Sequence, residues 1–182
     1  MRALVVSFSL MLGCGSEQAE PSPPCEQECK DGNAVRAVRE TMKLVYNLTL
    51  QANPVGAQDE LTLCPQGGGA RISGEATSDS MQGATLVDLT YQFVSCKYIE
   101  RDDEPDENYA ITLDGTITQE GVIAVQPSAT SALVIQSEAL TLSGTVYDPP
   151  LAYEEADCVL ELGQSGNKVS GTICGRIAGA DL

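Results

Sequence analysis

The chain contains no histidine and no tryptophan, and only 10 of its 182 residues are lysine or arginine against 26 aspartates and glutamates. Histidine is the commonest general base and the commonest neutral metal ligand in proteins. Its absence excludes serine and cysteine nucleophiles that depend on a histidine base, and it argues against a zinc site. The formal charge of −16 predicts repulsion from nucleic acid, so no nucleic-acid partner is expected.

The chain also lacks an apolar segment long enough to span a membrane as a helix. The apolar run at 3–12 is well short of the roughly 20 residues required. Together with Arg2 and the sequence Met11-Leu12-Gly13-Cys14, it resembles the leader of a bacterial lipoprotein, whose cysteine becomes acylated. The resemblance implies a signal peptide at 1–13, a lipid on Cys14 and, because Gly15 is not aspartate, sorting to the outer membrane. An ordinary cleaved signal peptide is the alternative.

Composition divides the rest of the chain into a tether and a domain. Residues 14–24 include three prolines and few apolar side chains, which predicts a lipidated tether without a packed structure. Residues 25–182 have the length of one ordinary domain with a single core.

Cysteine spacing predicts three disulfides. Lipidation of Cys14 leaves six cysteines, an even number typical of an oxidising compartment. They are Cys25, Cys29, Cys64, Cys96, Cys158 and Cys174. The third and fourth lie at equal distances from Ser80, and the fifth and sixth at equal distances from Gly166, so each pair would meet across a β-hairpin. By exclusion the first pairs with the second, although six cysteines permit 15 connectivities.

The segment before the strands has helical periodicity. Residues 24–30 are expected to form one helical turn and Asp31-Gly32-Asn33 to interrupt it, with Asn33 capping a second helix over 34–51. The apolar face of that helix consists of Val35, Val38, Met42, Val45 and Thr49, widened by Leu44 and Leu48. The opposite side mostly carries Arg36, Arg39, Glu40 and Lys43. We expect the apolar face to pack on a sheet.

From Leu61 onwards the apolar period is two, which predicts strands with one buried face. The alternating positions are Val87, Leu89, Tyr91 and Phe93, then Tyr109, Ile111, Leu113 and Ile117, then Leu140, Leu142 and Val146. Pairing the first hairpin about Ser80 places Ile72 opposite Asp88, on the wrong face. A one-residue bulge within the three glycines at 67–69 is expected to correct this register.

A pattern of apolar residue, small polar residue, glycine, polar residue and apolar residue recurs at 72–76, 113–117, 142–146 and 169–173, with Ala76 closing the first copy. In each copy the glycine shares the face of the apolar residues, so it either bends the strand or opens space on the inner surface. In the second case the glycines would line a ligand cavity.

These observations predict an α+β fold. One N-terminal amphipathic helix would pack in a strongly curved, half-barrel or barrel-like antiparallel sheet of about seven to nine disulfide-crosslinked strands.

Carboxylates are concentrated in the loop at 100–108. The candidate calcium ligands there are Asp102, Asp103, Glu104, Asp106 and Glu107, because Ca²⁺ prefers hard oxygen ligands. Their spacing is not that of an EF-hand, so the alternative is a solvated hairpin loop that keeps sheet edges apart by charge repulsion. Glu154, Glu155 and Asp157 form a second acidic cluster with the same two interpretations. No resident cofactor is expected.

Four motifs carry a resemblance to a group of uncharacterised bacterial lipoproteins with a helix followed by disulfide-crosslinked strands. They are Cys64-Pro65-x-Gly67-Gly68, Leu89-x-Tyr91-x-Phe93-x-x-Cys96, Leu113-x-Gly115 and Gly171-x-x-Cys174-Gly175. These motifs are structural, so the resemblance implies a fold class and a location in the outer membrane, and no activity.

The sequence therefore favours a non-catalytic module of the cell envelope, held to outer-membrane lipid by acylated Cys14, that either binds an unknown protein or other ligand or gives structural support. The alternative is a carrier of a lipid or another hydrophobic ligand inside the curved sheet. A hydrolase using paired carboxylates is the third hypothesis. An aromatic content of 4% leaves few platforms for stacking a sugar.

Overall fold

The computed structural model describes residues 24–127 and 129–182, so the leader, Cys14 and the tether up to residue 23 lie outside the described residues. Helix α1 spans Gln27–Thr49, and a short 3-10 helix spans Pro105–Glu107. The strands are β1 (Gly56–Leu63), β2 (Gly69–Asp79), β3 (Ala84–Glu100), β4 (Tyr109–Ala124), β5 (Ala132–Val146), β6 (Leu151–Ser165), β7 (Lys168–Ile173) and β8 (Arg176–Asp181).

The strands form one antiparallel sheet in which each strand pairs with its neighbours along the chain, in the order β1 to β8. Helix α1 packs on one face of this sheet, and the α+β prediction is confirmed. The sheet, however, is neither closed nor strongly curled, so the expectation of a half-barrel was wrong. Within the described residues β1 and β8 are its two open edges.

The recurring glycines allow neighbouring strands to approach closely. At Gly74 φ is +127° and at Gly144 it is +144°, a backbone region that other residues rarely adopt. A Cβ at Gly74 would lie 2.1 Å from the carbonyl oxygen of Asp88, and one at Gly144 would lie 2.0 Å from that of Ala110. Glycine is needed here because the neighbouring strand's backbone occupies the space of a side chain. The pattern therefore indicates close strand approach and not closure of the sheet.

Helix α1 is continuous through Asp31-Gly32-Asn33, so the predicted interruption was wrong. Asn33 is buried and its Nδ2 donates to the carbonyl oxygen of Cys29 at 3.2 Å, within the helix. Gly32 lets α1 approach β8, because a Cβ there would lie 3.0 Å from the carbonyl oxygen of Gly179. Residues that usually form turns thus lie inside α1, where Gly32 allows close packing of the helix on β8 and Asn33 is hydrogen-bonded within the helix.

The apolar face of α1 is buried largely as predicted. Val35, Val38, Met42 and Val45 are fully buried, and each contributes about 1.5–3 kcal/mol by leaving water. Leu48 is 53% exposed and does not belong to this face. Arg39, expected on the solvent side, is buried. On the sheet, the fully buried large side chains facing α1 include Ile72, Leu89, Tyr91, Ile111, Leu113, Ile117, Ile135, Leu140 and Leu142.

Three disulfides crosslink the fold, in the pairs expected from the sequence. They are Cys25–Cys29, Cys64–Cys96 and Cys158–Cys174, with Cα–Cα distances of 5.2, 5.4 and 4.4 Å. The first pair forms because Cys25 precedes α1: the backbone of Glu26 is extended, so the two side chains are not held parallel as they would be inside a helix.

The register of the first hairpin differs from the prediction by three residues. Ile72 lies opposite Tyr91, and both side chains are buried. Cys64 is outside the hairpin, in the loop between β1 and β2, and Cys96 follows an irregularity in β3 at which Ser95 has φ of +47°. The disulfide therefore joins a loop to a bulged strand, and no one-residue bulge in β2 is needed.

Candidate functional site: a polar pocket beneath the helix

A pocket of 210 Å³ lies between the C-terminal half of α1 and the centre of the sheet. The residues that line it are Arg39, Lys43, Tyr46 and Asn47 from α1, Tyr91 from β3, and Gln119 and Ile123 from β4. Lys43 and Asn47 are exposed, whereas Arg39, Tyr91 and Gln119 are buried. The pocket therefore opens to solvent past the helix and has a buried polar floor.

Arg39 is the buried cation of this pocket, with 8% of its surface exposed. It lies four residues after Val35 and three before Met42, so helical periodicity places it on the sheet-facing side of α1. Its Nε donates to Oε1 of Gln164 on β6 at 2.5 Å, and Gln164 in turn donates to the carbonyl oxygen of Gly166 at 2.7 Å. Across the described ranges Arg39 forms no salt bridge.

Burial lowers the pKa of Arg39, and the neighbouring Tyr91 and Glu40 partly oppose that shift. The guanidinium nevertheless stays protonated in a protein at neutral pH. A buried cation without an anionic partner is costly, because it loses its hydration without gaining an ion pair.

Tyr91 and Gln119 supply two buried polar atoms that the protein leaves unpaired. Tyr91 is 0% and Gln119 1% exposed. Neither the Tyr91 hydroxyl nor the Gln119 Oε1 has a hydrogen-bond partner in the described protein. Most buried polar side-chain atoms have a partner, so two such atoms lining one pocket mark it as exceptional.

Burial raises the pKa of Tyr91 far above its ordinary value, although the charge of Arg39 opposes the shift. The hydroxyl therefore keeps its proton at neutral pH and can donate it in a hydrogen bond. At the pocket mouth, Lys43 Nζ lies 3.0 Å from Glu40 Oε2, so that cation is already paired. The pocket thus combines donors and one unpaired positive charge, an arrangement that suits binding better than proton transfer.

A pair of carboxylates, which a hydrolase would need, occurs elsewhere, at the N-terminal half of α1. Arg176 of β8 lies between them: its Nε and Nη2 donate to Asp31 at 2.7 and 2.9 Å, and Nη2 also contacts Glu155 Oε1 at 2.5 Å. Tyr153 donates its hydroxyl to Asp31 Oδ1 at 2.9 Å. Burial raises the pKa of Asp31, but the hydrogen bonds from Arg176, Tyr153 and Gln27 lower it by more. Asp31 is therefore ionised at neutral pH and is poorly suited as a general acid.

The acidic loop after β3 does not gather its carboxylates. Asn108 organises it: its Nδ2 donates to the carbonyl oxygens of Asp102 and Glu104 at 3.0 and 2.8 Å. Glu107 pairs with Arg36 of α1 at 2.5 Å. In the part of the chain that the structure describes, no group of three or more potential ligands is positioned to hold a metal ion. The structure thus does not bring the calcium candidates Asp102, Asp103, Glu104, Asp106 and Glu107 together.

An apolar groove of 460 Å³ lies on the sheet face opposite α1, next to the edge strand β1. Leu61, Leu63 and Val94 line it and are 78%, 81% and 69% exposed. Arg71 also lines the groove and pairs with Asp59 at 2.6 Å. Of the four recurring glycines, Gly115 lines a shallow depression of 720 Å³ on the same outer face.

The lipidation candidate Cys14 lies outside the described residues. No helix within 24–127 or 129–182 has the length and hydrophobicity needed to cross a membrane. Comparison with protein-family models, with curated proteins and with solved structures gives no match. No family is therefore identified, and the resemblance to bacterial lipoproteins stays a prediction from the sequence.

The polar pocket was not predicted from the sequence, although its signals were present. Arg39 occupies a helical position between Val35 and Met42, both apolar. Gln119 continues the odd-numbered face of β4 that includes Leu113 and Ile117. A polar residue in phase with a buried face predicts either a buried hydrogen bond or a binding site, and periodicity alone does not distinguish the two.

Proposed function

We propose that the chain is a non-catalytic cell-envelope protein, anchored to the outer membrane by a lipid on Cys14, whose body binds a small polar ligand in the pocket beneath α1. The leader pattern at 1–13 and the three disulfides support export to an oxidising compartment. The observation that carries the binding role is the pair of buried, unpaired polar atoms of Tyr91 and Gln119 in one pocket with Arg39, a buried cation that has no anionic partner among the described residues.

A non-catalytic role is supported by the state of the titratable groups. Asp31 and Glu155 share Arg176, which favours the ionised form of Asp31. A general acid needs a pKa near the working pH, so the lowered pKa of Asp31 argues against acid catalysis by that residue.

The carrier hypothesis has weaker support. The pocket beneath α1 measures 210 Å³, whereas sites for drug-sized ligands begin at about 300 Å³. The larger apolar groove beside β1 lies on the open outer face of the sheet and does not enclose a ligand. An acyl chain would leave Arg39, Tyr91 and Gln119 without partners.

Intact-mass spectrometry of protein extracted from membranes of the native host, before and after reaction with an alkylating reagent, tests the anchoring role. We expect a chain that begins at Cys14, carries acyl groups and has none of its six remaining cysteines alkylated without prior reduction. A soluble chain with an unmodified N-terminus would refute the anchor, and alkylated cysteines would refute export to an oxidising compartment.

A further inference from the structure

The chemistry of the polar pocket narrows the class of ligand it takes. Its floor presents a guanidinium, a tyrosine hydroxyl and an amide oxygen, contributed by Arg39, Tyr91 and Gln119. The first two can donate hydrogen bonds to an anion, whereas Gln119 Oε1 can only accept one. A complementary ligand must therefore carry acceptor oxygens and a donor group.

The charge of the pocket favours small anions with a single negative charge. Lys43 is paired with Glu40, so Arg39 is the one lining cation without a carboxylate partner among the described residues. A single negative charge would neutralise it. A dianion would bring a second negative charge into a buried site that already has Glu40 nearby, and the excess charge would be costly there.

The volume of the pocket and its opening to solvent limit the size of the ligand. The volume of 210 Å³ accommodates a ligand of a few heavy atoms and is below the range of about 300 Å³ at which sites for drug-sized ligands begin. Exposed Lys43 and Asn47 leave the pocket open to solvent at one end. A planar carboxylate also matches the geometry of a guanidinium better than a spherical ion does.

We propose that the pocket beneath α1 binds a small monocarboxylate that also bears a hydroxyl donor. The carboxylate pairs with Arg39 and accepts from the Tyr91 hydroxyl, and the ligand hydroxyl donates to Gln119 Oε1. This inference rests on the proposed binding role and names its ligand class.

Isothermal titration calorimetry on the full, disulfide-bonded chain in detergent tests the proposal, with glycolate, acetate and inorganic phosphate as probes. We expect one glycolate per chain, weaker binding of acetate because it has no donor for Gln119, and weaker binding of phosphate because it is largely a dianion at neutral pH. The Gln119→Met variant should lose the preference for glycolate over acetate.

Matched variants separate the pocket from the rest of the surface. Arg39→Met should weaken glycolate binding by about tenfold to a hundredfold, and Tyr91→Phe by about threefold to tenfold. Arg36→Met removes the same charge from α1 outside the pocket, and Tyr109→Phe removes another buried, unpaired hydroxyl. Both should bind glycolate as the wild type does.

Several results would overturn the proposal. One is the absence of saturable binding at about 10 mM glycolate, ten times a dissociation constant of about 1 mM. Two others are tighter binding of phosphate than of glycolate and equal binding of glycolate and acetate by the wild type. The last is unchanged glycolate binding by folded Arg39→Met and Tyr91→Phe. If the N-terminus is acylated but glycolate does not bind, the pocket assignment fails and the anchor stands. If the chain from the native host binds glycolate but is not acylated, the anchor fails and the pocket assignment stands.

Discussion

Arg176 Nη2 lies 2.9 Å from Asp31 Oδ1, and this contact joins strand β8 to helix α1 across 145 residues of sequence. Asp31 is 1% exposed, so its charge depends on this guanidinium, on the Tyr153 hydroxyl and on Gln27 for solvation. The relationship explains why a sequence that reads as a helix breaker, Asp31-Gly32-Asn33, lies inside a continuous helix.

Replacing Asp31 should destabilise the fold. Asp31→Ala is expected to lower the free energy of unfolding by about 2–3 kcal/mol. The loss is smaller than that for breaking a fully buried ion pair, because the Arg176 side chain is 36% exposed and stays hydrated. The free energy of unfolding in urea measures this. The control is Asp59→Ala, which breaks the exposed pair with Arg71 and should cause no measurable change.

The same contact predicts acid sensitivity. The pKa of Asp31 is lower in the folded protein than its ordinary value of 3.8. A carboxyl with a depressed folded pKa stabilises the fold above its unfolded pKa, and this contribution is lost as the pH falls through the folded pKa. The stability difference between wild type and Asp31→Asn should thus be constant above about pH 5 and shrink below pH 3.8. A difference that grows on acidification would contradict the lowered pKa.

Gly144→Ala should destabilise the protein by more than about 2 kcal/mol, because φ is +144° and the added Cβ would meet the Ala110 carbonyl oxygen at 2.0 Å. Gly163→Ala is the matched control, since its Cβ would have ordinary contact at 3.9 Å. It should stay within about 1 kcal/mol of the wild type. Thermal and urea unfolding report both values, and equal effects would refute the close-approach explanation.

Disulfide removal should follow loop length. In the chain-entropy model, replacing both cysteines with alanine costs about 4 kcal/mol for Cys64–Cys96, about 3 for Cys158–Cys174 and about 2 for Cys25–Cys29, because the closed segments shorten in that order. Their sequence separations are 32, 16 and 4 residues. Urea unfolding of the three double variants gives the ranking, and a reversed order would rule out loop closure as the dominant cause.

Much of the fold could be predicted because it follows from local periodicity. The buried faces of β3, β4 and β5 were identified from alternation, and the disulfide pairs from their symmetry about Ser80 and Gly166. Both pairings were reached from a register that the structure does not have. The first hairpin is offset by three residues and the second by one, because cysteines in a loop, at a bulge or just past a strand end do not obey strand geometry.

The parts that could not be predicted depend on contacts distant in sequence. The burial of Asp31 within α1 is accompanied by hydrogen bonds from Arg176 and Tyr153, which no helix signal near Asp31 reveals. Whether a recurring glycine opens space or allows close approach of strands depends on where the neighbouring backbone lies. The pocket joins α1 to β3 and β4, so its residues could be assembled only once the strand order was known.

The central claim, that Arg39, Tyr91 and Gln119 form a binding site, is tested most directly by thermal unfolding of the full chain at increasing glycolate concentration. A ligand that binds only the folded state raises Tm as its concentration exceeds the dissociation constant. We predict a rising Tm for the wild type and Tyr109→Phe, and a much smaller rise for Arg39→Met and Tyr91→Phe. A wild-type Tm that does not change with glycolate, or the same rise in all four proteins, would contradict the claim.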